Sequence, residues 1–215
     1  FAHVKDYTAC NTCHDPHSLK IRTERCGTCH TNVKRDADLH DIRYLGSLVD
    51  YDGDGSIAEG VYHEIKAMED KLYSAVKSYA DKVIGIRIGY DAHTYPYFFN
   101  DSNGDGIIDE SEATYANGYH SWTPRLLRAA YNFQYAKKDP GAFAHGGKYV
   151  LQLLFDSLEN LGAAAGITVN PAGLHRGDEG HFDGSSEAWR HWDGDGEGDA
   201  RRRGRGNPHR PRRRA

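Results

Sequence analysis

All four cysteines of the 215-residue chain lie between positions 10 and 29, in two copies of one five-residue string. The copies are Cys10-Asn11-Thr12-Cys13-His14 and Cys26-Gly27-Thr28-Cys29-His30. Two thiols three positions apart can add to the two vinyl groups on one porphyrin edge, and the adjacent His then reaches under the ring to the iron. A disulfide, a zinc site or a thioredoxin-like pair also uses Cys-x-x-Cys. None of these explains a His after the second Cys both times, or the lack of Cys elsewhere. The expectation is two haem c groups, held by Cys10, Cys13, Cys26 and Cys29, with His14 and His30 as proximal iron ligands. A covalently anchored macrocycle takes the place of a side-chain core, so residues 1–45 are expected to be an irregular, haem-organised segment.

Each iron then needs a sixth ligand. The chain has 13 His and one Met. Met68 falls inside an apolar helical stripe, which assigns it to the core, so bis-His ligation is expected. Such irons are low-spin and of lower potential than His/Met haems, and suit electron transfer better than substrate binding. His17 is too close to His14 to reach across the same porphyrin and is a candidate for the neighbouring haem. His3 and His40 flank the segment. His145, in Gly-Ala-Phe-Ala-His, is read as opening an apolar helix and is a candidate from the far part of the chain. His63, His93, His120, His175, His181 and His191 are read as solvated or hydrogen-bonded.

Acidic loops are the second chemical signature. Asp101 to Glu112 matches the twelve-residue calcium loop of EF-hands. Asp101, Asn103 and Asp105 supply inward oxygens, Gly106 the sharp turn, Ile107 a carbonyl and Glu112 the closing carboxylate, while Ile108 packs inward. Residues 50–57 repeat the first half of the pattern, through Asp50, Asp52, Asp54 and Ser56. Position twelve there is Val61, so closure is assigned to Glu59 or Glu64. One or two calcium ions are expected, as structural staples. Asp193 to Glu197 is a third acidic cluster, too short to assign.

Hydrophobic residues make up only 38% of the chain, which suits a protein that draws cohesion from cofactors and metals. The net charge is −4, and removing the eight Arg of residues 201–215 leaves −12 for residues 1–200. An acidic body argues against nucleic acid as partner. No apolar run is long enough to span a membrane. The start at Phe1 reads as a mature chain whose export signal has been removed, giving a periplasmic or extracellular location.

The expected fold class is mainly α with little β. Val61, Ile65, Met68, Leu72, Val76, Tyr79 and Val83 step by threes and fours along one helix. Residues 84–100 read as extended, and the second loop is expected to lead into a short helix near 111–117. Thr123-Pro124 caps a helix through Leu127, Ala130, Tyr131 and Phe133, which Asp139-Pro140-Gly141 breaks. The last helix is expected to bury Tyr149, Val150, Leu153, Leu154, Leu158 and Leu161. The organisation expected is a dihaem segment (1–45), a helical domain with calcium loops (46–165), a Gly-rich extension (166–193) and a disordered Arg-rich tail (194–215).

The doubled motif, the first copy running on as Cys-His-Asp-Pro-His, resembles the paired segments of bacterial multihaem c-type cytochromes. Asp41-Ile42-Arg43, the loop at 50–55, Tyr95 to Phe99, Thr123 to Leu127 and Asp139 to His145 are similar to exported cytochromes of metal-reducing and related bacteria. In those proteins calcium loops sit between haem-binding segments. The resemblance covers most of residues 1–193; relatives continue past Gly180-His181-Phe182-Asp183 into further motifs, whereas this chain turns Arg-rich. It implies electron transfer to redox partner proteins or extracellular acceptors. It also permits a homopolymer in which one subunit lends a His to the next subunit's haem. The alternatives are a haem enzyme, such as a peroxidase or small-molecule reductase, and a calcium-stabilised structural filament subunit.

Overall fold

The computed structural model describes residues 6–43 and 50–165. His3, His175, His181 and His191, the Asp193 to Glu197 cluster, the Gly-rich extension and the Arg-rich tail lie outside the described residues. Internal contacts divide the chain into two units, Phe1–Tyr44 with Glu59–Val169, and Leu45–Ala58 with Asn170–Ala215. Residues 50–58 are the described part of the second.

Within the first unit, two one-turn helices, α1 (Cys10–Cys13) and α2 (Thr23–Cys26), carry the first three motif cysteines and adjoin each other. A 3-10 turn over Asp36–Asp41 leads on, and Ile42 accepts a hydrogen bond at its carbonyl from the Val61 amide, at 3.1 Å. Helix α3 (Val61–Tyr79) starts from Gly60. A side chain there would run into the His40 carbonyl and the Asp41 backbone, so the close approach requires glycine.

The α3 stripe packs as its spacing predicts: Val61, Ile65, Met68, Leu72, Val76 and Tyr79 are all buried. Val83 is not, at 48% exposed. The helix widens into a π turn over Ala80–Ile84, and the added residue per turn rotates Val83 away from the stripe. Gly85, at φ 80°, ends it. Helices α4 (Pro124–Lys138) and α6 (Gly147–Ala165) complete a three-helix core with α3, and one-turn α5 (Ala142–His145) packs on α6 and α3. The Thr123 hydroxyl accepts from the Leu126 amide at 3.1 Å with Pro124 in the first turn, as the cap reading requires.

Two details of that core differ from expectation. Leu127 and Tyr131 are exposed on α4, and α6 buries Val150, Leu151, Leu154, Phe155, Leu158 and Leu161 while Tyr149 stands 61% exposed. Helix α6 contacts both α3 and α4, so its apolar arc is wider than one stripe. The core also holds two acids. Glu64, fully buried, meets Arg43 at 2.6 Å, and Glu69, fully buried, meets Lys66 at 2.9 Å and Lys137 at 3.6 Å. Each charge is matched by a cation, the condition for tolerating it inside.

Among the described residues the β content is one antiparallel hairpin, β1 (Ile88–Tyr90) with β2 (Phe98–Asn100), in register Gly89 to Phe99. The chain is mainly helical, as expected. The short helix expected near 111–117 is instead a turn at residues 110–112 and a 3-10 turn over Tyr115–Asn117. Asn117 explains this: its amide donates to the Asn100 carbonyl at 2.8 Å and the Glu112 carbonyl at 2.9 Å, tying the loop exit back to β2.

Candidate haem-attachment and metal centres

Each motif closes one helical turn. The His14 amide donates to the Cys10 carbonyl at 2.8 Å, and the His30 amide to the Cys26 carbonyl at 2.9 Å. None of the four cysteines is in a disulfide, and among the described residues the clusters with metal-ligand spacing contain no cysteine. Burial pushes the Cys26 thiol up, and the neighbouring Cys13 adds to the shift. The two turns are fastened to each other. Arg25 Nη1 donates to the Thr12 carbonyl at 3.0 Å, Arg22 Nη1 to the Asn11 carbonyl at 3.4 Å, and the Arg22 amide to the Cys13 carbonyl at 2.8 Å.

The loop after the first motif orients its histidine. The Asp15 carboxylate accepts from the Ser18 amide at 2.8 Å, the His17 amide at 3.1 Å and the Ser18 hydroxyl at 3.0 Å, which draws its pKa down to about 2. Leu19, at φ 58°, turns back, and its carbonyl lies 2.8 Å from His14 Nδ1. A proton on Nδ1 satisfies that carbonyl and leaves Nε2 as the nitrogen with a free lone pair, the arrangement a metal-ligating His adopts. Paired cysteines outside any disulfide, beside an oriented imidazole, fit a covalently bound haem.

Of the candidate distal ligands, His145 lies with its ring centroid 6.0 Å from that of His14. His40 stacks on Tyr62 at 3.7 Å and 6°, with Phe143 edge-on at 5.4 Å. His17 is exposed in the Asp15 turn. His145 closes α5, and α6 begins at Gly147, so it does not open the long apolar helix as expected. His63 pairs with Asp41 at 3.1 Å.

The loop at residues 101–112 brings together its expected acids. Asp101, Asp105 and Glu112 each place a carboxylate oxygen within 4.8 Å of the others. Amides of Gly104 and Gly106 donate to the two Asp101 oxygens at 2.8 and 3.0 Å, and those of Asp105 and Ile107 to Asn103 and Asp105 at 2.9 and 2.8 Å. Gly104 and Gly106 have φ of 78° and 83°. Glu112 is 6% exposed, and its Oε1 accepts from the Ser102 and Asn103 amides at 2.7 and 3.1 Å. Its Oε2 is buried with no hydrogen-bond partner. An unmatched buried carboxylate oxygen among two further acids is costly unless a cation meets it, so the donor set fits calcium. Ile108 is seated on Gly89, where a side chain would collide with it.

In the second unit, residues 50–58 repeat this backbone. The Gly53 and Gly55 amides donate to the two Asp50 oxygens at 2.6 and 2.7 Å, and those of Asp54 and Ser56 to Asp52 and Asp54 at 2.9 and 2.6 Å. Gly53 and Gly55 have φ of 74° and 93°. Of the proposed closing residues, Glu64 is engaged by Arg43. Sequence reasoning missed Asp15, the Leu19 carbonyl and Asn117; Cys-His-Asp-Pro-His, with an acid one position after the ligand, was the available signal for the first.

No family model and no solved structure matches the chain. It is similar to the C-type polyheme cytochrome OmcB of Geobacter sulfurreducens (strain DL-1 / KN400), 33% identical over 78 residues that cover 33% of this chain and 10% of the relative. OmcB of strain ATCC 51573 / DSM 12127 / PCA matches to the same extent. C-type polyheme cytochrome OmcC of that strain is 32% identical over 78 residues. The chain spans about a tenth of the length of these curated relatives. The similarity supports a multihaem c-type cytochrome. No helix among the described residues is long and apolar enough to cross a membrane.

Proposed function

We propose that this chain is an exported electron-transfer protein with two bis-His haem c groups, stapled by calcium. Cys10 and Cys13 hold the first haem and Cys26 and Cys29 the second, with His14 and His30 on the irons. When bound, the haems supply a one-electron iron couple whose potential the axial ligands set. The polypeptide holds the attachment turns together through Arg22 and Arg25, and it fixes the His14 tautomer through the Leu19 carbonyl. The observation that carries the reading is this one: two Cys-x-x-Cys-His turns without a disulfide, side by side, one with its imidazole already oriented.

Asp101, Asn103, Asp105, the Ile107 carbonyl and Glu112 are the proposed calcium ligands, with Asp50, Asp52, Asp54 and Ser56 proposed for a second ion. Electrons would pass to a redox protein or an extracellular acceptor. The test is spectroscopy and rapid mixing of the haem-loaded chain. Low-spin ferric and ferrous spectra, with fast reoxidation by an added ferric acceptor, are expected. Ready carbon monoxide binding at both haems, or turnover of peroxide or nitrite above free-haem rates, would overturn it.

A further inference from the structure

The geometry points to His145 as the sixth ligand of the haem held by Cys10 and Cys13, trans to His14. This inference rests on the haem reading above and names the partner of one iron. A bond of about 2 Å from metal to imidazole nitrogen, plus about 1.1 Å from that nitrogen to the ring centre, sets two trans imidazoles about 6.3 Å apart. The His14 and His145 centroids are 6.0 Å apart. The ring separation thus matches that of two imidazoles on one iron, although the two residues are 131 positions apart in the sequence.

The His14 ring turns Nδ1 to an acceptor, and the His145 ring has a carboxylate nearby. His14 Nδ1 lies 2.8 Å from the Leu19 carbonyl, and His145 Nδ1 lies 3.9 Å from Asp139 Oδ1. On His14 that leaves Nε2, the nitrogen a metal takes when the other is engaged behind it. The Asp139 carboxylate is itself held by the Gly141 amide at 3.0 Å.

The element carrying His145 is fixed in place. Ala142 is buried, and Phe143 stands edge-on to His40 at 5.4 Å and to Tyr62 at 5.7 Å. Gly141 lets the imidazole fold back over the start of α5, since a Cβ there would sit 2.5 Å from His145 Cε1. His145 is nevertheless 61% exposed, so its ring is not committed to the core. Among the described residues, the competing histidines are worse placed. His17 belongs to the same turn that orients His14, and His40 would have to leave its stack on Tyr62.

The test uses the full haem-loaded chain, with haem content fixed first by the pyridine haemochrome assay. His145→Ala should convert half the ferric haem to high spin. After reduction, carbon monoxide should bind one of the two haems, and added imidazole should reverse both effects. His145→Met should stay six-coordinate and raise the potential of one haem alone. Gly141→Ala, which keeps the imidazole but crowds it, should give a partial high-spin signal. His17→Ala and His40→Ala should leave the haem held by Cys10 and Cys13 low-spin. An unchanged low-spin, carbon-monoxide-resistant spectrum in His145→Ala overturns the assignment and leaves the haem reading intact. If the variant is poorly folded, an unchanged pair of potentials in His145→Met overturns it instead. A chain without haem refutes both.

Discussion

Glu112→Gln removes one negative charge from the second loop and nearly preserves the side chain's shape. It is best made in an Asp50→Asn background, so that only residues 101–112 are read. Glu112 faces Asp101 and Asp105 within 4.8 Å. At an effective dielectric of about 20, each such pair repels by about 3.5 kcal/mol before screening. Water, salt and the Arg87 and Lys77 side chains near Gly104 and Gly106 reduce the net cost to roughly 1–2 kcal/mol. Against this stand the charge-assisted bonds from the Ser102 and Asn103 amides, whose weakening costs about 1 kcal/mol. In chelator the variant should therefore melt at, or a few degrees above, its parent. Calcium reverses the order. At about 2 mM calcium and a Kd near 10⁻⁴ M, binding stabilises the parent by roughly 1.8 kcal/mol. That is a rise of about 4–7 °C for a domain of this size. Calorimetric melting of both proteins, with and without calcium, reads the difference. An equal calcium-induced rise in the variant would refute the loop as the calcium site.

Three further outcomes follow from the fold. Met68→Ala opens a cavity at a fully buried position of α3 and should cost about 2–5 kcal/mol in denaturant unfolding, with haem content unchanged. Thr123→Ala removes the α4 cap and should cost about 1 kcal/mol by the same measurement. The His93 and Thr94 amides hold the Asp91 carboxyl below the usual carboxylate range. Because the folded value is the lower one, this contribution is present above the ordinary carboxylate pKa and is lost as pH falls through the folded value. Asp91→Asn should therefore destabilise the hairpin loop at pH 7 and flatten the acid limb below roughly pH 4, as read by melting across that range.

The sequence made the repeating parts of this molecule readable. A three-four spacing located α3, and a Thr-Pro pair located the start of α4, because both signals are local. The acidic loop at residues 101–112 was readable for the same reason, and Asp101, Asp105 and Glu112 do converge within 4.8 Å. Its flanks were not: the EF-hand pattern implies helices, yet here β2 enters the loop and Asn117 ties its exit to Asn100. The π turn after Tyr79 rotated Val83 out of a stripe that periodicity alone would continue. In α6, Leu151, Leu153, Leu154 and Phe155 offer more than one apolar face, and packing against two helices chose among them. Glu64 and Glu69 look like surface acids until Arg43 and Lys137 arrive from elsewhere in the chain. His145 was readable as one candidate among several, but its meeting with His14 in particular was not, since no local rule relates residues so far apart.

The most direct test of the whole account is the mass of the intact, purified chain, followed by peptide mapping. Two haem groups should be found, one on the peptide bearing Cys10 and Cys13 and one on that bearing Cys26 and Cys29, with no thiol open to alkylation. Four alkylatable thiols, a disulfide or a bound zinc ion at these positions would contradict it.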